Sequence, residues 1–256
     1  MDFPEKKMLF LPMGLTAYRY SSWRLAIRMY LIEWILIIPP VVSHIAIHDV
    51  ISLIDFIATF ALLYILLISI YELQYVINDL LFSKYEDRPT LRFYPVSIWT
   101  LVLSRIISIV LYIAILLLSS LYGIESIQIC NVTISLSLLV FAFLVHNIQK
   151  IKLKRILTFS LIRIVRLLFV PVALLGSSII PEIVLITLPY VFIEVIEGFR
   201  YNLSKYGITT PPIQYRWYYI YGLFLPLQYV ALRRIEPLSG VILLFTASLV
   251  KNTIAK

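Results

Sequence analysis

Apolar runs of about twenty residues, separated by short polar stretches, dominate this chain, and that length is what a helix needs to cross the hydrocarbon core of a bilayer. Eight stretches qualify as candidate spans: Leu25–Ile47, Val50–Val76, Val96–Leu118, Ile127–Val145, Ile156–Leu175, Ile179–Val195, Trp217–Leu232 and Leu238–Lys251. The last two are short enough to form a tilted pair or a re-entrant hairpin instead. The pattern predicts an all-α, polytopic transmembrane helical bundle of about eight spans. It forms a single domain over residues 1–256, with polar loops at about 78–95 and 194–216 on one side.

Composition removes the soluble alternatives. Hydrophobic residues make up 61% of the chain and charged residues 14%, with a mean hydropathy of +0.93. Soluble domains run at about 45–50% apolar and about 25% charged, so a water-soluble fold of this chain could not cover its own surface. Disorder is excluded by the same apolar and aromatic content. One cysteine, Cys130, rules out an intrachain disulfide and a cysteine-rich metal site. His44, His48 and His146 are too scattered to suggest a metal cluster. The first residues, MDFPEKK onward, lack the apolar core and cleavage site of a signal peptide, so the first apolar segment is expected to be retained.

The net charge of +8 is arranged topologically, not as a nucleic-acid footprint. Bases gather in the N-terminal segment (Lys6, Lys7, Arg19, Arg24, Arg28) and after the second span (Lys84, Arg88, Arg92). Further bases follow the fourth span (Lys150, Lys152, Lys154, Arg155) and the sixth (Arg200, Lys205, Arg216), and Lys251 and Lys256 close the chain. The opposite loops hold Arg233 and Arg234. By the positive-inside rule the basic side, with both termini, faces the cytoplasm. The localisation expected is integral and multi-pass, in a prokaryotic plasma membrane.

Acidic residues cluster on that same side. The second span ends YELQYVIND, placing Glu72, Tyr75 and Asp79 on one helix face, and the charged loop LLFSKYEDRPTLR follows. The sixth span ends IEVIEGFRYNLSKYG, with Glu194 and Glu197 at i, i+3 and Arg200 beyond. Two readings compete. The clusters are wet helix ends whose acids and bases pair, or they grip a polyanion through a divalent metal. Magnesium prefers oxygen ligands and commonly bridges a few carboxylates to substrate phosphates. Neighbouring Arg and Lys would neutralise the remaining phosphate charge.

These motifs resemble those of the UbiA-type intramembrane prenyltransferase superfamily. That family carries N-D-x-x-D-x-x-x-D and an Arg-Pro element after its second helix, and a motif near D-x-E-G-D-R after its sixth. Asn78, Asp79 and Glu86 match the first motif, with Phe82 in place of the middle acid, and Arg88–Pro89 looks like the Arg-Pro element. Ile196–Glu197–Gly198 and Arg200 match the second motif, with Val195 and Phe199 replacing its aspartates. The resemblance implies transfer of an isoprenyl chain from a polyprenyl diphosphate to a lipophilic acceptor, with Mg²⁺. It makes Asp79 and Glu86 catalytic and Asp79, Glu86, Glu194 and Glu197 metal ligands. Asn78, Lys84, Arg88, Arg92, Arg200 and Lys205 become diphosphate contacts. The three missing acids put the metal count in question.

Other polar residues are weighed singly. Arg163 and Arg166, one turn apart in the fifth span, either face the phosphate cavity or snorkel to the interface. Arg105 is expected to pair with an acid such as Glu72 or to line the cavity. Glu33 and Asp55 are expected to face the bundle interior or water. Tyr71, Glu72 and Tyr75 are the residues expected along the prenyl cavity, whereas most other Tyr and Trp suit interfacial belts. Asn131–Val132–Thr133 spells a glycosylation sequon close to the membrane. Three functions compete: the prenyltransferase; a non-catalytic relative that binds an isoprenoid lipid or acts as a membrane scaffold, which the missing aspartates favour; and a small transporter, which acids gathered at one face disfavour. Membrane lipids are expected partners and nucleic acid is not.

Overall fold

The computed structural model of the chain describes residues 6–19, 21–48, 53–82, 94, 96–121, 129–149, 152–204, 217–233, 236–239, 241–243 and 245–246. All regular structure among them is helical. The α-helices are α1 (Gly14–Arg19), α2 (Trp23–His48), α3 (Leu53–Ile77), α4 (Ile98–Leu121), α5 (Ile129–Ile148), α6 (Lys152–Leu175), α7 (Ile180–Ser204) and α8 (Trp217–Leu232). A 3₁₀ turn, Lys6–Phe10, precedes α1, and a π-helical turn, Asn78–Phe82, continues α3.

Five of these helices are long and apolar enough to cross a membrane: the segments Trp23–Ala46, Ile54–Phe82, Ile98–Ser119, Ile129–Ile148 and Leu157–Leu175. They coincide with the first five expected spans. The sixth expected span, Ile179–Val195, lies on α7, of which Ser177–Ile193 together with the preceding 3₁₀ turn is described as apolar helix. The seventh matches α8, of which Leu223–Leu232 is described as apolar helix. Half of the eighth, Leu238–Lys251, lies outside the described residues.

The physical reason for helix throughout is that backbone N–H and C=O groups in lipid must be satisfied within the segment. Of the five long apolar helices, α3 and α6 are the most buried and α4 and α5 the least. α3 packs on α4 and α6, α5 on α6, and α7 on α6 and α8, while α2 contacts α6 and α7. Trp99, Leu103, Ile106, Val110 and Leu111 are exposed along one side of α4, an apolar stripe suited to lipid. On the inner side an aromatic core joins α2 to α3, with Trp34 edge-on to Tyr64 at 5.2 Å and Phe60 stacked on Tyr64 at 5.7 Å. Lipid tails are as apolar as leucine, so helix positions depend on close packing and on polar contacts.

Two glycines are demanded by geometry. Gly176 ends α6 with φ 77°, its N–H donating to the Val172 carbonyl, and Asn131 of α5 packs against it. Asn131 therefore sits within a candidate span, half-buried and against the end of α6. At Gly14 a side chain has no room, since a Cβ there would stand 1.8 Å from the Met8 carbonyl oxygen. The chain uses that close approach to fold residues 6–19 back on themselves.

Prolines open gaps in the ladders. Pro189 lies within α7 and has no N–H to offer the carbonyl of Leu185, four residues earlier. Gln228 of α8 fills the gap, its Nε2 donating to the Leu185 carbonyl at 2.8 Å and to that of Ile186 at 3.2 Å. Gln228 is fully buried, so this contact ties α8 to α7 inside an otherwise apolar seam.

Candidate functional site: a buried layer of arginines, carboxylates and tyrosines

Charged side chains from α2, α3, α4 and α6 meet within the bundle. Glu33, Glu72, Arg105, Arg163 and Arg166 are all buried. Isolated charges at such depth cost about 2.5–3.5 kcal/mol each on insertion scales, so they persist where they are paired.

The first group centres on α3 and α4. Glu72 Oε2 lies 2.8 Å from Arg105 Nη2. Glu72 Oε1 accepts from the Thr16 backbone N–H at 2.8 Å and from the Thr16 hydroxyl at 3.0 Å. Arg105 donates to the carbonyls of Leu9 at 2.6 Å and of Phe10 and Leu11 at 3.0 Å. The Leu9 and Phe10 carbonyls end the Lys6–Phe10 turn, and that of Leu11, just beyond it, also accepts from the Gly14 N–H. The N-terminal segment is thus not a loop outside the bundle, as its bases alone suggest. Residues 6–19 form an arm, with Leu9, Leu15, Thr16 and Ala17 fully buried.

The second group lies on α2 and α6. Glu33 receives the Tyr64 hydroxyl at 3.0 Å, Arg163 Nη1 at 3.7 Å, and Arg166 Nη2 in direct contact. Both arginines are buried, so the snorkelling alternative is overturned. Arg166 also lies over the Tyr71 ring, 4.5 Å from its centroid, and Arg163 over Phe159 at 5.0 Å. A guanidinium suits this position because its planar, weakly hydrated cation both stacks on rings and pairs with a carboxylate. Nε and Nη1 of Arg166 are buried donors without a hydrogen-bond partner.

The third group lies at the end of α3. Asp79 sits in the Asn78–Phe82 π-turn, a geometry that recurs at functional sites. Its Oδ2 accepts from Arg19 Nη1 at 2.9 Å and from the Tyr94 hydroxyl. Arg19 lies over the Tyr75 ring at 3.9 Å, and Tyr75 donates its hydroxyl to that of Tyr71 at 2.9 Å. Burial, and then the bond to Asp79, push the Tyr94 hydroxyl above the ordinary tyrosine range. For Arg19, burial alone would favour the neutral form, but Tyr75, Asp79 and Tyr94 more than offset it and raise its pKa.

The three groups connect. Asp79, Arg19, Tyr75, Tyr71, Arg166 and Glu33 form an unbroken line of contacts from the π-turn into the bundle centre. Asp79, Tyr71, Tyr75, Arg163 and Arg166, singled out in the sequence, come together here, and Glu72 joins through Thr16, whose hydroxyl lies 3.3 Å from that of Tyr30. Tyr71 and Glu72 are buried and Tyr75 half-buried. Asn78 is half-buried, with Oδ1 buried and unpartnered. Asp55 is half-buried near the start of α3 and Arg200 half-buried near the end of α7. Lys84, Glu86, Arg88, Arg92 and Lys205 lie outside the described residues, as do the side chains of Glu194 and Glu197.

Sequence reasoning missed Arg19, Thr16 and Tyr94. The signals available were weak. Arg19 looks like one more base in a basic tail, and Gly14 was the only hint of a tight fold-back. Among the described residues no three His, Cys, Asp or Glu side chains gather as a metal site, and Glu33, Glu72 and Asp79 are each engaged by arginine. No protein-family model, curated protein or solved structure matches this chain.

Proposed function

We propose that the chain is a divergent UbiA-type protein of about eight spans, with its basic side and both termini at the cytoplasmic face of a prokaryotic plasma membrane. In this reading it holds the diphosphate head of a polyprenyl lipid at the Asn78–Phe82 end of the bundle and transfers the isoprenyl chain to a lipophilic acceptor. One observation carries the reading: the line from Asp79 through Arg19, Tyr75 and Tyr71 to Arg166 joins the first acidic motif to buried cationic and aromatic side chains. Guanidiniums suit phosphate oxygens, and tyrosine faces suit a developing allylic cation. The described carboxylates do not by themselves make a magnesium site, and Asp79 is already paired with Arg19, so a role for Mg²⁺ rests on Glu86, Glu194 and Glu197.

A second reading, a non-catalytic relative that binds an isoprenoid lipid, is favoured by a different observation. Asp79, Glu72 and Glu33 already have arginine partners, and Phe82, Val195 and Phe199 stand where the family has acids. The experiment is release of diphosphate from radiolabelled polyprenyl diphosphates by the purified full chain in lipid nanodiscs, with and without Mg²⁺ and with a panel of acceptors. Transfer predicts Mg²⁺-dependent release that Asp79→Ala abolishes. Saturable binding without release supports the second reading, and absence of both overturns the two together.

A further inference from the structure

We infer that Arg19, carried on the N-terminal arm, is the resident counter-charge of Asp79, so that a guanidinium from within the chain, and not a divalent cation, neutralises the aspartate of the first acidic motif. The inference deepens the reading of this site and rests on that reading only for what enters it.

Contact geometry is the first support. Arg19 Nη1 reaches Asp79 Oδ2 at 2.9 Å, while its guanidinium carbon lies over the Tyr75 ring, 3.9 Å from the centroid. Tyr94 donates to the same oxygen, and its ring packs against Tyr18, the residue before Arg19, at 5.7 Å between centroids. The cation is therefore held by an acid below, an aromatic face beside it and a neighbouring ring pair. Arg19 and Asp79 are 12% and 10% exposed, which leaves the pair weakly screened by water.

Anchoring of the arm is the second support, and it is independent of Asp79. Thr16, three residues before Arg19, gives both its N–H and its hydroxyl to Glu72. The carbonyls of Leu9, Phe10 and Leu11 are taken by Arg105. Leu9 and Leu15 pack with Val76 and Leu101 in a small core of their own. With residues 9, 10, 11 and 16 fixed to two buried charges, α1 delivers Arg19 to Asp79 as a rigid projection. A metal ion approaching Asp79 would have to displace a preorganised cation rather than a mobile side chain.

Manganese, used alone as the probe, tests this without any lipid substrate. Binding of Mn²⁺ to the full chain in nanodiscs would be followed by electron paramagnetic resonance of the free ion, for wild type, Asp79→Asn, Arg19→Gln and Arg19→Lys. Wild type and Asp79→Asn should bind alike, because Asp79 is already neutralised. Arg19→Gln should gain a site at least about tenfold tighter, as expected when a cation in direct contact with a carboxylate is removed. That gain should vanish in the Arg19→Gln/Asp79→Asn double variant, and Arg19→Lys should stay like wild type. Manganese binding in wild type that Asp79→Asn abolishes would overturn the inference, as would a folded Arg19→Gln that gains nothing. Should Arg19→Gln fail to fold, the comparison of wild type with Asp79→Asn still decides. Failure of polyprenyl diphosphate binding leaves these outcomes untouched, so the two readings fail separately.

Discussion

Glu72 and Arg105 are paired at 2.8 Å between α3 and α4, and each also hydrogen-bonds the N-terminal arm, through its backbone or the Thr16 side chain. The pair is therefore a clamp with three parts. Removing one partner strands the other as an uncompensated buried charge, a loss of about 3–5 kcal/mol. Arg105→Met should destabilise the chain by that order in a denaturation titration in mixed micelles. Glu72→Gln/Arg105→Met should cost clearly less than the two single variants added together, because the residues couple. Additive losses would show that the contact contributes little.

Gln228 and Pro189 make a second testable pair. Gln228→Leu removes the partner of the part-buried Leu185 carbonyl and should cost about 1 kcal/mol. Pro189→Ala restores an N–H that can bond Leu185 within α7. In that background Gln228→Leu should cost less than half as much. The same loss in both backgrounds would mean that Gln228 does not act through the proline gap.

The bond from Tyr94 to Asp79 carries a pH dependence. The folded chain holds the Tyr94 proton more tightly than an unfolded chain does. The associated stability is fully present below the ordinary tyrosine pKa of about 10 and is lost as pH rises through the folded value. Across the range above about pH 10, wild type should lose thermal stability more steeply than Tyr94→Phe. Parallel profiles for the two would contradict the buried hydrogen-bonded hydroxyl.

Gly14→Ala addresses the arm directly. The added methyl would collide with the Met8 carbonyl, so the fold-back cannot close unchanged. Limited proteolysis within residues 6–19 should become at least about tenfold faster, which corresponds to a loss of about 1.4 kcal/mol from the closed arm. An unchanged cleavage rate would place the arm's stability elsewhere.

The helical, membrane-spanning character was readable because apolar runs of about twenty residues leave few alternatives. α2 to α6 fall where the runs predict. Pairing of Glu72 with Arg105 could be anticipated from depth alone, since two lone opposite charges in lipid have strong reason to meet. Arg163 and Arg166 could not be resolved between interface and interior, because register says how deep a residue lies and not which neighbour it faces. The arm was illegible for a related reason. Its contacts join residues 9–19 to residues 72, 79, 94 and 105, and no local periodicity encodes a partner that far along the chain.

That separation bears on how the molecule is made. Residues 6–19 leave the ribosome before α3 and α4, yet Glu72, Asp79 and Arg105, the charged groups among the described residues that secure them, belong to those later helices or to the turn that continues α3. The piece synthesised early is therefore fastened late, and it must wait at the membrane surface until about a hundred residues have followed. A bulky fusion placed ahead of Lys6 would burden that wait most, and a nascent chain stalled short of Arg105 would leave the arm undocked.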